Sequence, residues 1–336
     1  MTLAALHRGT RLTDRVRAGR FDRAIRAVVM ATLLLTAVSW LGSRYWLPEL
    51  LTHFRLQYVC AALILLAVSI IRRQPGSGLI AAMVAAANLI PLLPYVTPGA
   101  APAQAGLISL RVMSINVHFR NRDYGRVRAL IEHEDPDIVG LSEVSGEWIA
   151  GLAALAEAYP HAVLRPEEGA YGLALFSRVP VRELATSPYV EAGIQTAISV
   201  EVEFQGNRAI LTLAHLMAPV SPDKASLRNL QLKKIAEMAG TYPYDNQILI
   251  GDLNITPWSP YYVQLQDAGL ANAASGRGYL PTWPAGFYAL QIPIDHILLS
   301  GEFEVQQIRR AASFGSDHLP ILADVAIAGA SPDQPQ

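Results

Sequence analysis

The sequence predicts an α/β domain of mixed strands preceded by three transmembrane helices, and three observations carry that expectation. Uncharged apolar runs come first, at residues 27–43, 56–71 and 79–96. From Leu107 onward, short β-rich runs alternate with amphipathic helical stretches. Carboxylate, amide and imidazole groups then gather at the ends of those β-rich runs, where an α/β enzyme collects its polar chemistry.

The chain begins with a basic segment, residues 1–26, that holds seven arginines from Arg8 to Arg26. A hydrophobic fraction of 51% and a mean hydropathy of +0.25 point to membrane content in a chain of 336 residues. Charge is segregated accordingly. Residues 1–102 carry 11 Arg and no Lys against Asp14, Asp22 and Glu49, a net of +8; the remainder carries 16 Lys+Arg against 25 acids, a net of −9. Each apolar run is near the lower limit of about 17 residues for a spanning helix. Arginines before the first run, and Arg72-Arg73 after the second, place those segments in the cytoplasm; Trp40, Tyr45, Trp46, Tyr58 and Tyr95 would line the opposite interface. Three spans, 27–96 in all, then put everything beyond Val96 outside the cytoplasmic membrane. The competing reading, buried helices of a soluble protein, leaves the arginine asymmetry unexplained. Cys60 is the sole cysteine, so no intrachain disulfide can form.

A Pro/Ala-rich linker, 97–106, follows. The domain proper runs over 107–328, with strands expected at 108–117, 137–142, 171–177, 196–204, 208–214, 247–252, 292–299 and 320–327. Helices are expected at 123–134, 146–158 and 224–239, and residues 329–336 read as a disordered tail. Alternation in several strands, as in Ala197 to Phe204, marks a half-exposed, partly antiparallel sheet.

Four strand-end segments carry the chemistry. The run Ile248-Leu249-Ile250-Gly251-Asp252-Leu253-Asn254 sets an Asp and an Asn two apart, on one side if strand geometry persists, where an Asp can orient and deprotonate a water. Taken alone, it is equally an Asp/Asn turn. Asn116 and Glu143 close two successive strands, and an amide beside a carboxylate suits magnesium or manganese. Carboxylates gathered in one cleft repel one another unless a cation sits among them. His215 ends a strand, and gains weight only in the company of the others. Asp295 and His296 are neighbours on a strand, so at most one faces the site, and Asp295 is the choice. In Asp317-His318 the carboxylate can orient the imidazole and favour its cation. His-Glu-x-x-His, paired-Cys, Gly-x-Ser-x-Gly and phosphate-loop patterns do not occur.

In this order the segments resemble the endonuclease/exonuclease/phosphatase superfamily. Tyr171 to Arg178, Pro281-Thr282-Trp283-Pro284 and Pro293-Ile294-Asp295-His296 add to the likeness, which covers about 107–328. The resemblance implies a four-layer sandwich of two mixed β-sheets flanked by helices, with the site at one edge. It further implies Glu143 as principal metal ligand, helped by Asn116 and Asp317. Asp252 would align or deprotonate the water with Asn254 in support, His215 and His318 would stabilise the phosphate, and Asp295 would orient a histidine. Mg2+ or Mn2+ would be the cofactor, and no organic cofactor is implied. Abasic-site endonucleases of the superfamily carry Asp where this chain has His118, so a second metal site of that type is in question and His118 is a possible additional site residue.

Three spans before this domain look similar to membrane-anchored bacterial members linked to glycopeptide resistance, with a polyprenyl-pyrophosphate phosphatase role. The expectation is therefore a divalent-metal phosphoester hydrolase, integral to the bacterial cytoplasmic membrane with its N-terminus cytoplasmic. Its partners would be the lipid bilayer and an envelope phosphate, either a lipid or a small molecule, in preference to nucleic acid. The acidic domain lacks the basic stripe that nucleic-acid backbones require. Alternatives are an extracytoplasmic nuclease and a catalytically silent membrane scaffold.

Overall fold

Apolar runs on either side of residue 93 build two units, Met1–Leu93 and Pro94–Gln336. The computed structural model describes residues 3–99, 109–184, 197–204, 206–242 and 244–327, with side chains from Gly19 onward. Most of the expected linker, the domain start at 107–108 and the tail 329–336 lie outside the described residues, as do the side chains of Arg8, Arg11, Arg15 and Arg17.

The first unit is helical. Its helices are Leu3–Ser39, Trp46–Thr52, Arg55–Ile71 and Pro75–Leu89, the last running on through a tight turn and Leu93–Val96. Three spans are not what forms. Among the described residues one helix, Pro75–Val96, is long and apolar enough to cross a membrane, over 22 residues. The run 56–71 lies in a 17-residue helix that meets Trp46–Thr52 at a bend of 65°, and only the pair together reaches spanning length. The run 27–43 is cut short because its helix ends at Ser39 and residues 40–44 turn. Counting back a membrane's thickness from Ser39 takes in Asp22, Arg23 and Arg26, whose charges oppose insertion.

Among the described residues the second unit contains twelve strands: β1 (Leu110–Asn116), β2 (Ile138–Ser142), β3 (His161–Arg165), β4 (Leu173–Ser177), β5 (Val181–Glu183), β6 (Ala197–Phe204), β7 (Asn207–Ala214), β8 (Gln247–Asp252), β9 (Ala271–Asn272), β10 (Asp295–Ser300), β11 (Phe303–Arg310) and β12 (Ile321–Ile327). They form two six-stranded sheets, ordered β11-β12-β1-β2-β4-β3 and β5-β6-β7-β8-β10-β9. Both sheets use the same plan: a parallel central pair, β1 with β2 and β7 with β8, flanked by antiparallel neighbours.

Period-two alternation sorts the side chains into layers. Met113, Ile115, Val139 and Leu141 point outward and pack with Val127, Ile131 and Trp148 of the helices Tyr124–Glu134 and Gly146–Gly151. Leu249 and Leu298 pack outward against Leu232, Ile235 and Met238 of the helix Pro222–Ala239. The inward faces meet each other, closely enough at Gly140 that a Cβ there would stand 2.7 Å from Leu213 Cδ1 and 2.9 Å from Ile250 Cδ1. Two mixed sheets flanked by helices are therefore the observed architecture. Asn116 and Asp252 fall on the inward faces by the same alternation, at the C-terminal ends of β1 and β8.

Candidate active site

The last residues of the parallel central strands converge where the inward faces open. Asn116 Nδ2 donates to Glu143 Oε1 at 3.0 Å and to Asp252 Oδ2 at 3.1 Å, so one amide joins carboxylates from the two sheets. Its oxygen accepts His118 N–H at 3.0 Å, and Glu143 Oε2 accepts Phe119 N–H at 2.8 Å. Glu143 leaves the strand with φ of 66°, and His118 has φ of 61°; both departures turn the chain around the cleft. Gly251 has φ of 136°, and a Cβ there would sit 1.8 Å from Ala214 O, so the approach of β8 to the end of β7 requires glycine.

Asp252 is buried, with Oδ2 3.6 Å from His215 Nε2 and 3.7 Å from His318 Nε2. His215 Nε2 lies 3.9 Å from Glu143 Oε1. On the far side of the cluster, His318 Nδ1 meets Asp295 Oδ2 at 2.9 Å. Thr282 Oγ1 accepts the N–H groups of Ile294 and Asp295, both at 3.3 Å.

Burial and mutual charge set the protonation states. Burial, reinforced by the charge of Asp295, pushes the Asp252 carboxyl up to about 8, against the pull of His318. For His318 burial acts in the opposite direction, but the charges of Asp295 and Asp252 and the Asp295 hydrogen bond raise it to about 10. Asp295 in turn stays below the ordinary carboxylate range, its burial overridden by the His318 charge and hydrogen bond. Burial holds His215 below its usual value, despite the Glu143 charge. The cluster thus pairs an imidazolium at His318 with a carboxyl at Asp252 that burial and the Asp295 charge push up to about 8, a value that a cation beside it would lower.

Each sequence-predicted residue can be located. Asn116, Glu143, His215, Asp252, Asp295 and His318 come together in the cluster. Asn254 joins through its backbone: strand geometry does not persist past Asp252, φ at Asn254 is 50°, its N–H reaches Asp252 Oδ1 at 2.9 Å and its amide nitrogen donates to Leu216 O at 2.9 Å. Asp317 does not join Glu143 and Asn116. Its side chain is 46% exposed at the rim, taking the Trp283 indole N–H on Oδ2 at 3.1 Å and facing His118 Nδ1 with Oδ1 at 3.8 Å. Its neighbour His318 turns inward instead, because Ser316 Oγ accepts His318 N–H at 3.1 Å while donating to Asn116 O at 2.8 Å. His296 is on the opposite face of β10, bonded to Asn272 and to Ile255 O, with burial lowering it to about 4.

Three supporting residues escaped sequence reasoning. Thr282 and Ser316 lie inside segments that drew attention, but nothing in the sequence says that their hydroxyls brace Asp295 and His318. Arg228 is fully buried on the helix Pro222–Ala239 and donates to Asn254 O at 2.7 Å. An arginine amid the apolar positions of that helix was the available signal.

Residues 113–318 match the sequence profile of the Endonuclease/Exonuclease/phosphatase family. The chain belongs to that family. No curated protein sequence matches it. Among solved structures, it is similar to a humanized TDP2 from D. rerio at 18% identity, covering 65% of this chain and 98% of that one with a TM-score of 0.52. The 3′ phosphatase NExo from Neisseria bound to product DNA hairpin aligns at 20% identity over 64% of this chain and 98% of its own, also at 0.52. An endonuclease/exonuclease/phosphatase from Beutenbergia cavernae aligns at 24% identity, over 66% and 72%, at 0.50. At these identities the likeness is one of fold.

Family membership implies a divalent metal, and the donor set fits one. Two buried carboxylates, Glu143 and Asp252, are tied to a single amide, and ligand atoms of Asp252, Asp295 and His318 lie within 4.8 Å of one another. Hard oxygen donors at like-charged, desolvated positions suit magnesium or manganese. Glu143 would hold it, with Asn116 tying that carboxylate to Asp252; bound there, it would supply charge neutralisation for a phosphoryl oxygen.

Proposed function

We propose that this protein is a membrane-tethered, divalent-metal-dependent phosphoester hydrolase that acts outside the cytoplasm on a lipid-linked or other envelope phosphate. The chemistry rests on one observation above the others: the Asn116 amide bonded at once to Glu143 and Asp252, with His318 beside them. An attacking water gives its proton to the ionised Asp252 carboxylate as its oxygen bonds to phosphorus and the ester P–O bond breaks, while the phosphate oxygens meet His318 and neutral His215. A single such donor is worth about 3–4 kcal/mol of barrier.

The location and substrate class rest on other features. The helix Pro75–Val96 has spanning length, and the helical unit exposes Leu34, Ile64, Ile71, Leu79 and Ile90, each by more than 60%. Arginines crowd the N-terminal segment, which favours its retention in the cytoplasm. Residues beyond 102 carry a net of −9, poorly suited to a polyphosphate backbone. A glycopeptide-resistance-associated phosphatase acting on a polyprenyl pyrophosphate is the specific member this combination favours.

A second reading is a nuclease or nucleic-acid phosphatase, favoured by Arg120 and Arg122 on the loop after His118 and by the DNA-bound Neisseria neighbour. One experiment separates the two: full-length protein in detergent with magnesium is offered a polyprenyl pyrophosphate, a phospholipid and plasmid DNA in parallel. Phosphate release from the lipid, lost in Asp252→Ala, supports the proposal. Nicked plasmid without phosphate release overturns it.

A further inference from the structure

The helical unit buries ionisable groups that the hydrolytic site does not use. Glu49 is 1% exposed, His53 5% and Arg55 4%. Burying a charge among apolar helices costs several kcal/mol, so such residues mark function more often than packing. Glu49 is accounted for by His53, whose Nε2 lies 3.4 Å from Oε1 one helical turn away. Arg55 is different. Among the described residues no carboxylate comes within 4 Å of its guanidinium, Nη1 reaches only the neutral Asn88 Oδ1 at 3.3 Å, and buried Nε has no hydrogen-bond partner. Asn88 is aligned by Thr36 Oγ1 at 3.0 Å and Val84 O at 2.9 Å, so helices from three parts of the chain hold the arginine in place.

A fixed, buried guanidinium that lacks a counter-anion is half of an ion pair. Its fork of N–H donors matches phosphate geometry, and Arg is more weakly hydrated than Lys, which makes it the usual residue for a desolvated phosphate. The surroundings indicate where that phosphate resides. Arg55 opens the helix Arg55–Ile71 just past the 65° bend, and the Trp40 ring lies over it at 5.1 Å. Trp40 and Tyr45, 59% and 61% exposed, are the amphipathic rings that settle at headgroup depth. A short helix, Trp46–Thr52, with Leu47 61% exposed, ends at the same bend.

We propose that Arg55, aligned by Asn88 and Thr36 and covered by Trp40, is a binding site for a phosphate monoester at headgroup depth, distinct from the Glu143–Asp252 cluster. The inference rests on the membrane placement proposed above, and it gives a phosphate-hydrolysing protein a second place to hold lipid phosphate. Two sources share this chemistry: the headgroup of a prenyl or diacyl lipid, and free inorganic phosphate.

The test uses full-length protein in nanodiscs of neutral phosphatidylcholine, with binding of a fluorescent polyprenyl monophosphate read by titration. Wild type should bind it, Arg55→Lys should bind more weakly than wild type but more tightly than Arg55→Gln, Arg55→Gln should bind at least tenfold more weakly than wild type, and the corresponding uncharged prenol should show no dependence on residue 55. Inorganic phosphate as competitor assigns the source: displacement at low millimolar concentration means free phosphate, and no displacement means the lipid. Equal binding by wild type and Arg55→Gln overturns the site, provided the variant melts as a folded protein. Asn88→Ala, which leaves the charge but not its alignment, should weaken binding less than Arg55→Gln; an unaltered Asn88→Ala together with an unaltered Arg55→Gln leaves Arg55 a packing residue. Hydrolysis is followed separately with Glu143→Gln. Lipid phosphate bound through Arg55 but not hydrolysed sinks the functional proposal alone. Hydrolysis with binding indifferent to Arg55 sinks this one alone.

Discussion

His318 and Asp295 arrive from either side of β11 and meet at 2.9 Å, Nδ1 to Oδ2, inside a fully desolvated cluster. That pairing fixes the imidazole's orientation and its charge, and its loss should be visible in the pH dependence of turnover. His318 holds its proton up to about pH 10 in the intact protein. In Asp295→Asn the largest favourable cause disappears while burial, which opposes the cation, remains. The alkaline limb of the rate profile should move down toward neutrality, and kcat at pH 8 should fall by about 10²-fold or more. An unchanged limb in a pH–rate series from 5 to 10 would show that the His318 cation plays no part.

Removal of metal should cost stability as well as activity, because Glu143 and Asp252 then face each other with only Asn116 between them. A ligand at a hundred times its dissociation constant stabilises by about 2.7 kcal/mol. Adding magnesium to chelator-treated protein should raise the melting temperature by several degrees, and Glu143→Gln should abolish that rise. Differential scanning of wild type and variant, with and without magnesium, measures both.

Two glycines separate backbone constraint from packing constraint. In Gly251→Ala the new Cβ meets the Ala214 carbonyl oxygen at 1.8 Å with φ of 136°, and neither can yield. The cost should exceed about 3 kcal/mol, and the second unit should fail to fold. In Gly140→Ala the obstacles are Leu213 and Ile250 methyl groups, which can shift, so a loss of about 1–3 kcal/mol is expected. Chemical denaturation ranks the two.

Glu134 and Arg309 form a two-pronged pair on the first sheet. The Arg309 hydrogen bond holds the Glu134 carboxyl below its ordinary range, against burial. A depressed carboxylate contributes stability above its unfolded value of about 4.3, and that contribution is lost as pH falls through the lower folded value. Arg309→Met should destabilise by about 1 kcal/mol at pH 7, a modest figure because Arg309 is 41% exposed. The difference between the two proteins should shrink below pH 4 in melting curves taken from pH 3 to 7.

The central strands were legible from the residues alone: β1, β2, β4, β6, β7, β8, β10 and β12 each fall within a few residues of an expected run. The strands that sequence reasoning missed are β3, β5, β9 and β11, and these are the four sheet edges. An edge strand is half exposed and hydrogen-bonded on one side, so charges and short lengths are tolerated there and the apolar pattern fades, as in Arg182-Glu183 or Gln306 to Arg310. The expectation of three spans failed for a related reason. Composition places an apolar run, but whether it spans depends on where the helix stops, and Ser39 and the bend after Thr52 are tertiary outcomes.

For the site, the sequence by itself determined which groups sit at strand ends, because alternation and a terminal turn leave Asn116, Glu143, Asp252 and Asp295 little choice of location. Tertiary structure alone decided their partners. The amide of Asn116 bridges two sheets to reach Asp252, 136 residues away, Ser316 turns His318 inward and leaves Asp317 on the rim, and Arg55 is buried without a counter-ion among the described residues. Local sequence sets which way a side chain leaves its strand. Desolvation and charge pairing are properties of the space between strands, and that space exists only after the sheets have packed.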